Sequence, residues 1–209
     1  MLYEFPLDAE KTLKFAHAKR KDARAFRRSL KSFRGASNPK VLDAMELATL
    51  AFRRWREARS KKRVADCVED VRDHIRNNPH AEITVLVLAR APWLKRNHVA
   101  GLCHFRRTWC NNIYIDFLTV HPSLVANRQR PIRGVGTALL YFVACVAAEI
   151  KAGALWGEAT QNSAEFYRRI FAGADVSDLI YLREPDYNGF RTRIAASLDQ
   201  LQKLRGSSD

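Results

Sequence analysis

The stretch that most constrains this chain runs from Asn112 to Leu140. Ile113-Tyr114-Ile115-Asp116-Phe117-Leu118-Thr119-Val120 is an almost unbroken β-branched and aromatic run, interrupted by one carboxylate, Asp116. A run of that kind suits a strand covered on both faces. Pro122 ends it, residues 123–133 form a loop carrying Arg128, Arg130 and Arg133, and Gly134-Val135-Gly136 opens an apolar helical run from Thr137 to about Lys151, stopped by Gly153. A strand, a glycine turn and a helix start together make an anion site. The first N–H groups of a helix have no intrahelical acceptor, and the helix dipole favours negative charge beside them. Glycine lets the backbone come close to such a ligand.

The turn is neither of the two best-known phosphate loops. Leu139 stands where the dinucleotide fingerprint needs its third glycine, and no Gly-Lys-Ser/Thr follows as in a P-loop. A lone Gly-x-Gly is also compatible with a plain tight strand-to-helix turn. The whole register, Val120-His121-Pro122, a basic loop, then Arg133-Gly134-Val135-Gly136-Thr137-Ala138-Leu139-Leu140, resembles the acetyl-CoA motif of the GCN5-related N-acetyltransferases (GNAT superfamily). One position departs from it: the first Arg/Gln of the motif falls on Pro131, so that Arg130 or Arg133 would have to supply the charge. A second segment resembles the same family. Leu155 to Thr160 reads as a strand, and Asn162 to Phe171 as a helix carrying Phe166-Tyr167. The resemblance covers about residues 82–185.

It implies a mixed α/β fold with a central sheet of the acyl-CoA N-acyltransferase type, and acetyl-CoA as co-substrate of an N-acetyltransferase. It further implies direct transfer to an amine in a ternary complex, since no cysteine is placed as an acyl carrier. Cofactor contacts are expected from the backbone at Leu118 and Val120, where two parallel strands separate in this family. Further contacts are expected from Arg130, Arg133, Gly134, Val135, Gly136 and Thr137, and from Asn162 (equally readable as a helix N-cap). Acetyl transfer from a thioester needs an amine without its extra proton, a donor for the developing oxyanion, and an acid for the leaving thiolate. Tyr167 matches the family's acid. It is protonated at neutral pH, with an ordinary pKa of roughly 10, and the alternative is a core aromatic beside Phe166. Asp116 is a candidate base, because a carboxylate inside an apolar strand is costly unless used or paired; a salt bridge to a neighbouring arginine is the equal alternative. Glu158, in the next strand, is a second candidate base.

Composition narrows the partners. A net charge of +14 favours acidic ones. The excess is concentrated early: residues 1–80 carry 20 Lys and Arg against 11 Asp and Glu. Between Lys11 and Arg34 ten basic residues face only Asp22. An amine acceptor is expected; the basic helices either recruit nucleic acid or the ribosome or form a solvated face, and a homodimer is one assembly open to the chain. The rival reading is a non-catalytic protein of the same fold that binds nucleic acid through those helices. Cys67, Cys103, Cys110 and Cys145 form no Cys-x-x-Cys pair and fit no metal spacing; reduced, buried thiols in a cytoplasmic protein are expected. The longest apolar run, Ala138 to Ala148, is too short to span a bilayer, so no membrane partner is expected.

Two regions follow. Residues 1–80 read as a basic, mainly helical part with a candidate first strand at 2–6. A helix capped by Asp8 should run to about Phe33, with Ala23, Phe26, Leu30 and Phe33 inward, and stop at Gly35. Asn38-Pro39 should restart a helix with Val41, Met45, Ala48, Phe52 and Trp55 inward, and a third covers Val64 to Ile75. This part is either a separate module or an enlarged version of the family's first two helices; the second is preferred. Residues 81–209 read as the acetyltransferase core with a C-terminal helix. Strands at Ile83–Ala89 and Val99–Phe105 precede the central strand. A late strand lies at Leu179–Leu182, turn chemistry at Glu184–Gly189, and a last helix along Ile194, Leu198, Leu201 and Leu204.

Overall fold

A computed structural model describes residues 4–8, 10–94, 99–126, 132–171 and 176–206. Seven strands form one sheet in chain order: β1 (Glu4–Pro6), β2 (Thr12–His17), β3 (Ile83–Arg90), β4 (Val99–Arg107), β5 (Ile113–Val120), β6 (Ala154–Glu158) and β7 (Leu179–Arg183). Every neighbouring pair is antiparallel except β5–β6. That parallel pair needs a crossover, and α5 (Val135–Glu149) supplies it. The mixed α/β class expected from the sequence is the one observed.

The N-terminal region departs from expectation. Residues 12–17 are a strand, not the first half of a helix. Leu13 and Phe15 point into the core with Lys14 outward, a period of two that the short segment could not separate from a helical one. Asp8 caps no helix; its Oδ1 accepts from the N–H groups of Glu10 (2.9 Å) and Lys11 (2.8 Å), closing the β1–β2 turn. The helix, α1 (Arg20–Leu30), begins later. There the carboxylate of Asp22 accepts from the Lys19 N–H at 2.8 Å. The second helix, α2 (Pro39–Ser60), starts as read, with the Asn38 side chain accepting from the Lys40 N–H at 3.0 Å. The third, α3 (Val68–Asn77), is capped by the Cys67 sulfur. Because β2 pairs with β3 from Lys14–Arg90 to His17–Val87, the N-terminal region contributes strands to the same sheet as the rest.

Helices cover both faces. On one, α1 and α2 lay Ala23, Phe26, Leu30, Ala48, Phe52 and Trp55 over Leu86, Leu88 and Leu102. On the other, α5 and α7 (Glu184–Gly206) pack over Val85, Val87, Cys103, Phe105, Ile113 and Ile115. The segment Glu184–Gly189 is thus the first turns of a helix and not a loop. Glu184, Pro185 and Asp186 suit a helix start as well as a turn. The buried ring of Tyr187, whose hydroxyl donates to the Ala152 carbonyl at 2.6 Å, holds it there. A short helix, α4 (Pro122–Ala126), occupies the head of the loop after β5.

Candidate active site

The glycine turn sits where β5 ends. Gly134 precedes the helix with φ +83°, a left-handed conformation that a side chain would strain. The first helical bond runs from the Ala138 N–H to the Gly134 carbonyl at 2.8 Å, so the N–H groups of Val135, Gly136 and Thr137 have no acceptor within the helix. Arg133 and Gly134 are exposed, Gly136 and Thr137 half-buried, and Val135 is buried against the sheet. Gly101 on β4 makes that approach feasible: a Cβ there would lie 2.9 Å from both the Thr119 carbonyl oxygen and Val135 Cγ1. Arg130 and Pro131 lie outside the described residues.

Beside the turn, two strands part. β5 and β6 pair only at Ile113–Leu155, Tyr114–Trp156 and Ile115–Gly157. β6 then stays with β7, and the Ala159 N–H bonds to the Asp178 carbonyl. β5 continues to Val120, paired with β4 alone. The backbone of Asp116–Val120, including Leu118 and Val120, therefore has one edge without a strand partner, and those two side chains are half-buried. The parting begins at a bulge. On β4, Phe105 pairs with Ile115 and His104 with Phe117, leaving Asp116 as the extra residue.

The bulge turns Asp116 toward α2. Its carboxylate is fully buried and accepts from Arg54 Nη1 (2.7 Å), Arg106 Nε (2.9 Å) and His104 Nδ1 (3.1 Å). Burial pushes its pKa up, and the bonds from His104 and Arg106 more than offset this, leaving it below the ordinary carboxylate value. Of the two sequence readings of Asp116, the salt-bridged one describes this geometry; a carboxylate with three cationic or N–H partners is a poor proton acceptor. Arg54 also lies over the Phe117 ring, and Arg106 over Tyr114. The sequence reading missed this hub, although His104 and Arg106, two apart on β4, already pointed to one polar face. Glu158, at the end of β6, is exposed and has no salt bridge among the described residues.

Tyr167 lies on α6 (Ala164–Ile170) and is buried between Phe166, edge-on at 5.0 Å, and Phe171, stacked at 6.4 Å. Burial, and then the nearby Cys103 thiol, push its phenol far above the ordinary value, so the proton stays on at neutral pH. Cys103 pairs across β4–β5 with Leu118, so the phenol and the unpaired stretch of β5 belong to one neighbourhood. The Phe166 ring also lies against the glycine turn: a Cβ on Gly136 would sit 3.1 Å from its Cζ.

Asn162 is not the cap of α6; Ser163 holds that place. The Asn162 amide donates to Asp43 Oδ2 at 2.6 Å, and Thr160 Oγ1 to the same oxygen at 3.4 Å, tying the β6–α6 turn to the start of α2. His121, directly after β5, is buried at 4% exposure. Its Nδ1 accepts from the Ser123 N–H at 3.2 Å, so Nε2 carries the hydrogen and donates to Ser29 Oγ at 3.0 Å. Burial lowers its pKa to about 4. Nothing in a strand-end histidine reveals that α1 will cover it.

No protein-family model matches the chain, and no curated protein matches it. Solved structures of similar layout include a GNAT family acetyltransferase from Staphylococcus aureus, 11% identical over 82% of this chain and 99% of that one, with a TM-score of 0.45. Another, from Brucella melitensis in complex with acetyl-CoA, is 14% identical over 80% and 86%, TM-score 0.45. A third, a GNAT family N-acetyltransferase from Escherichia coli in complex with CoA, is 11% identical over 90% and 89%, TM-score 0.45. These are likenesses of fold. Among the described residues no group of His, Cys, Asp and Glu could hold a metal ion, and no helix is long and apolar enough to cross a membrane.

Proposed function

We propose that the protein is an acetyl-CoA-dependent N-acetyltransferase working by direct transfer in a ternary complex. One observation carries this reading: the parting of β5 from β6 opens an unpaired backbone edge beside the first turn of α5. Backbone amides that lack a strand partner suit the amide-rich arm of the co-substrate, and the N–H groups of Val135, Gly136 and Thr137, with the Arg133 guanidinium beside them, suit its pyrophosphate. The co-substrate supplies a thioester carbonyl, open to attack by the acceptor nitrogen. As the carbon–nitrogen bond forms and the carbon–sulfur bond breaks, the Tyr167 hydroxyl gives its proton to the leaving sulfur. Glu158, the candidate carboxylate without a salt bridge, takes the proton of the amine directly or through a water. Asp116 holds the bulge that starts the parting and takes no proton. Asn162 positions the β6–α6 turn through Asp43 and offers the co-substrate its carbonyl oxygen.

Calorimetry with acetyl-CoA tests this. Gly134→Val with Gly136→Val should abolish binding, since one substitution strains a left-handed residue and the other crowds Phe166. Arg133→Glu, at an exposed position where folding is not at risk, should weaken binding about tenfold, a charge effect on the order of 1 kcal/mol. Unchanged affinity in folded Arg133→Glu and double-glycine variants would overturn the reading. The saturation of Asp116 favours one alternative, a scaffold that binds the thioester without using it. Acetyl-CoA binding with no thioester cleavage across a panel of primary amines would establish that alternative.

A further inference from the structure

The groove between α1 and α2 holds an unusual charge arrangement away from the parted strands. Arg20, Arg24 and Arg27 stand on one stripe of α1, Arg56 and Arg59 on the facing stripe of α2, and Ala23, Trp55 and Ser60 complete the lining of a cavity of about 330 Å³. Five guanidinium groups thus share one depression. The carboxylates nearest in sequence are used elsewhere. Asp22 is buried and turned the other way, bonding Arg90 at 2.6 Å; Glu57 pairs with Lys61 at 2.9 Å. Asp66 reaches only Arg59, which also lies over the Trp55 ring at 5.2 Å. Among the described residues no carboxylate forms a salt bridge with Arg20, Arg24, Arg27 or Arg56, and all four are exposed.

Like charges three and four residues apart weaken a helix by a few tenths of a kcal/mol each. Arg20–Arg24, Arg24–Arg27 and Arg56–Arg59 all have this spacing. A solvated face would ordinarily intersperse acids, as α3 does with Glu69, Asp70 and Asp73 among Arg72 and Arg76. We propose that the α1–α2 groove binds the phosphodiester backbone of a nucleic-acid strand. The stripe from Arg20 to Arg27 is about 10 Å long, the rise of roughly three phosphates along one stacked strand. Planar guanidinium forks suit phosphate oxygens in pairs. Trp55 is buried beneath them and offers no face for a base, so the contact reads backbone and not sequence. The groove is distinct from the acetyl-transfer site. It lies between helices that pack on one face of the sheet, over Leu86, Leu88 and Leu102, whereas α5 and the glycine turn lie on the other face. The inference therefore stands or falls separately from the enzyme reading.

The test is fluorescence anisotropy with a short labelled single-stranded RNA over a salt series, on the full chain. Arg24→Gln/Arg27→Gln/Arg56→Gln should lower affinity at least tenfold. It should also reduce the slope of log affinity against log salt by about 2, near 0.7 per lost phosphate contact on a single strand. Arg168→Gln/Arg169→Gln/Arg183→Gln removes the same charge from α6 and β7 and should change affinity less than threefold. Circular dichroism checks the fold of each. No salt-sensitive binding by the unmodified protein overturns the proposal, as do equal losses from both triple variants. Binding to phosphatidylserine vesicles in place of RNA overturns it in favour of a membrane surface. Acetyl-CoA affinity, measured on the same samples, should not move with the groove variant.

Discussion

On one face of the sheet, α5 buries ten side chains and carries no charge before Glu149. On the other, α1 and α2 each bury a single stripe and turn guanidinium groups to solvent. The apolar face needs no directional contact: burying each large side chain there contributes about 1.5–3 kcal/mol by removal from water. The charged face must satisfy what it buries, and it does so at Asp116, with three donors around one carboxylate. The apolar face ends in the glycine turn that offers unpaired N–H groups, whereas the charged face ends in the arginine groove. The two proposed anion sites, one built of backbone and the other of side chains, thus lie on opposite faces of the sheet.

The largest expected effect comes from removing the centre of the charged face. Asp116→Ala leaves His104, at 1% side-chain exposure, without its acceptor and Arg106 with only Glu82, at 3.7 Å. A loss of about 3 kcal/mol is expected, at the lower end of the range for breaking a buried pair because Arg54 is mostly exposed. Urea unfolding measures it; a folded variant of unchanged stability that lost turnover would make Asp116 the base after all. The apolar face is probed by Tyr167→Phe, which keeps the ring packing with Phe166 and Phe171. Turnover should fall by roughly 10²-fold with acetyl-CoA affinity little changed, as for loss of one general acid; wild-type turnover would reduce Tyr167 to a packing residue.

The smallest effect is a pH dependence of stability from the charged face. His121 is held neutral by burial, with a pKa of about 4 in the fold against 6.5 outside it. The unfolded chain therefore binds the extra proton first. The stabilisation is present above about pH 6.5, and is lost as the pH falls toward 4. Between pH 7 and 5 the loss should be about 2 kcal/mol. His17, half-buried and also lowered by burial, acts in the same direction. His121→Gln should flatten the pH dependence of urea unfolding by that amount. An unchanged slope would mean that the ring is hydrated in solution.

Local pattern made much of this molecule legible. The strand at 113–120, the glycine turn, the long apolar helix and the Asn38 cap each depend on residues close in sequence, whose period and cap chemistry act before any tertiary contact forms. Other features depend on which elements meet. Residues 12–17 became a strand because β3 offered an edge to pair with, and six residues hold too few apolar positions to choose a period alone. Glu184–Gly189 became helix because Tyr187 found a buried carbonyl 35 residues away. Asp116 could be base or salt bridge until the bulge and α2 brought three partners from separate elements to its two oxygens. His121 became a neutral, buried side chain only when α1 folded over it. The chain by itself determined the order of elements and the place of the turn. The protonation of its buried groups and the clustering of its arginines were decided by the tertiary fold, because a charge responds to everything within a few ångströms and not to its neighbours in sequence.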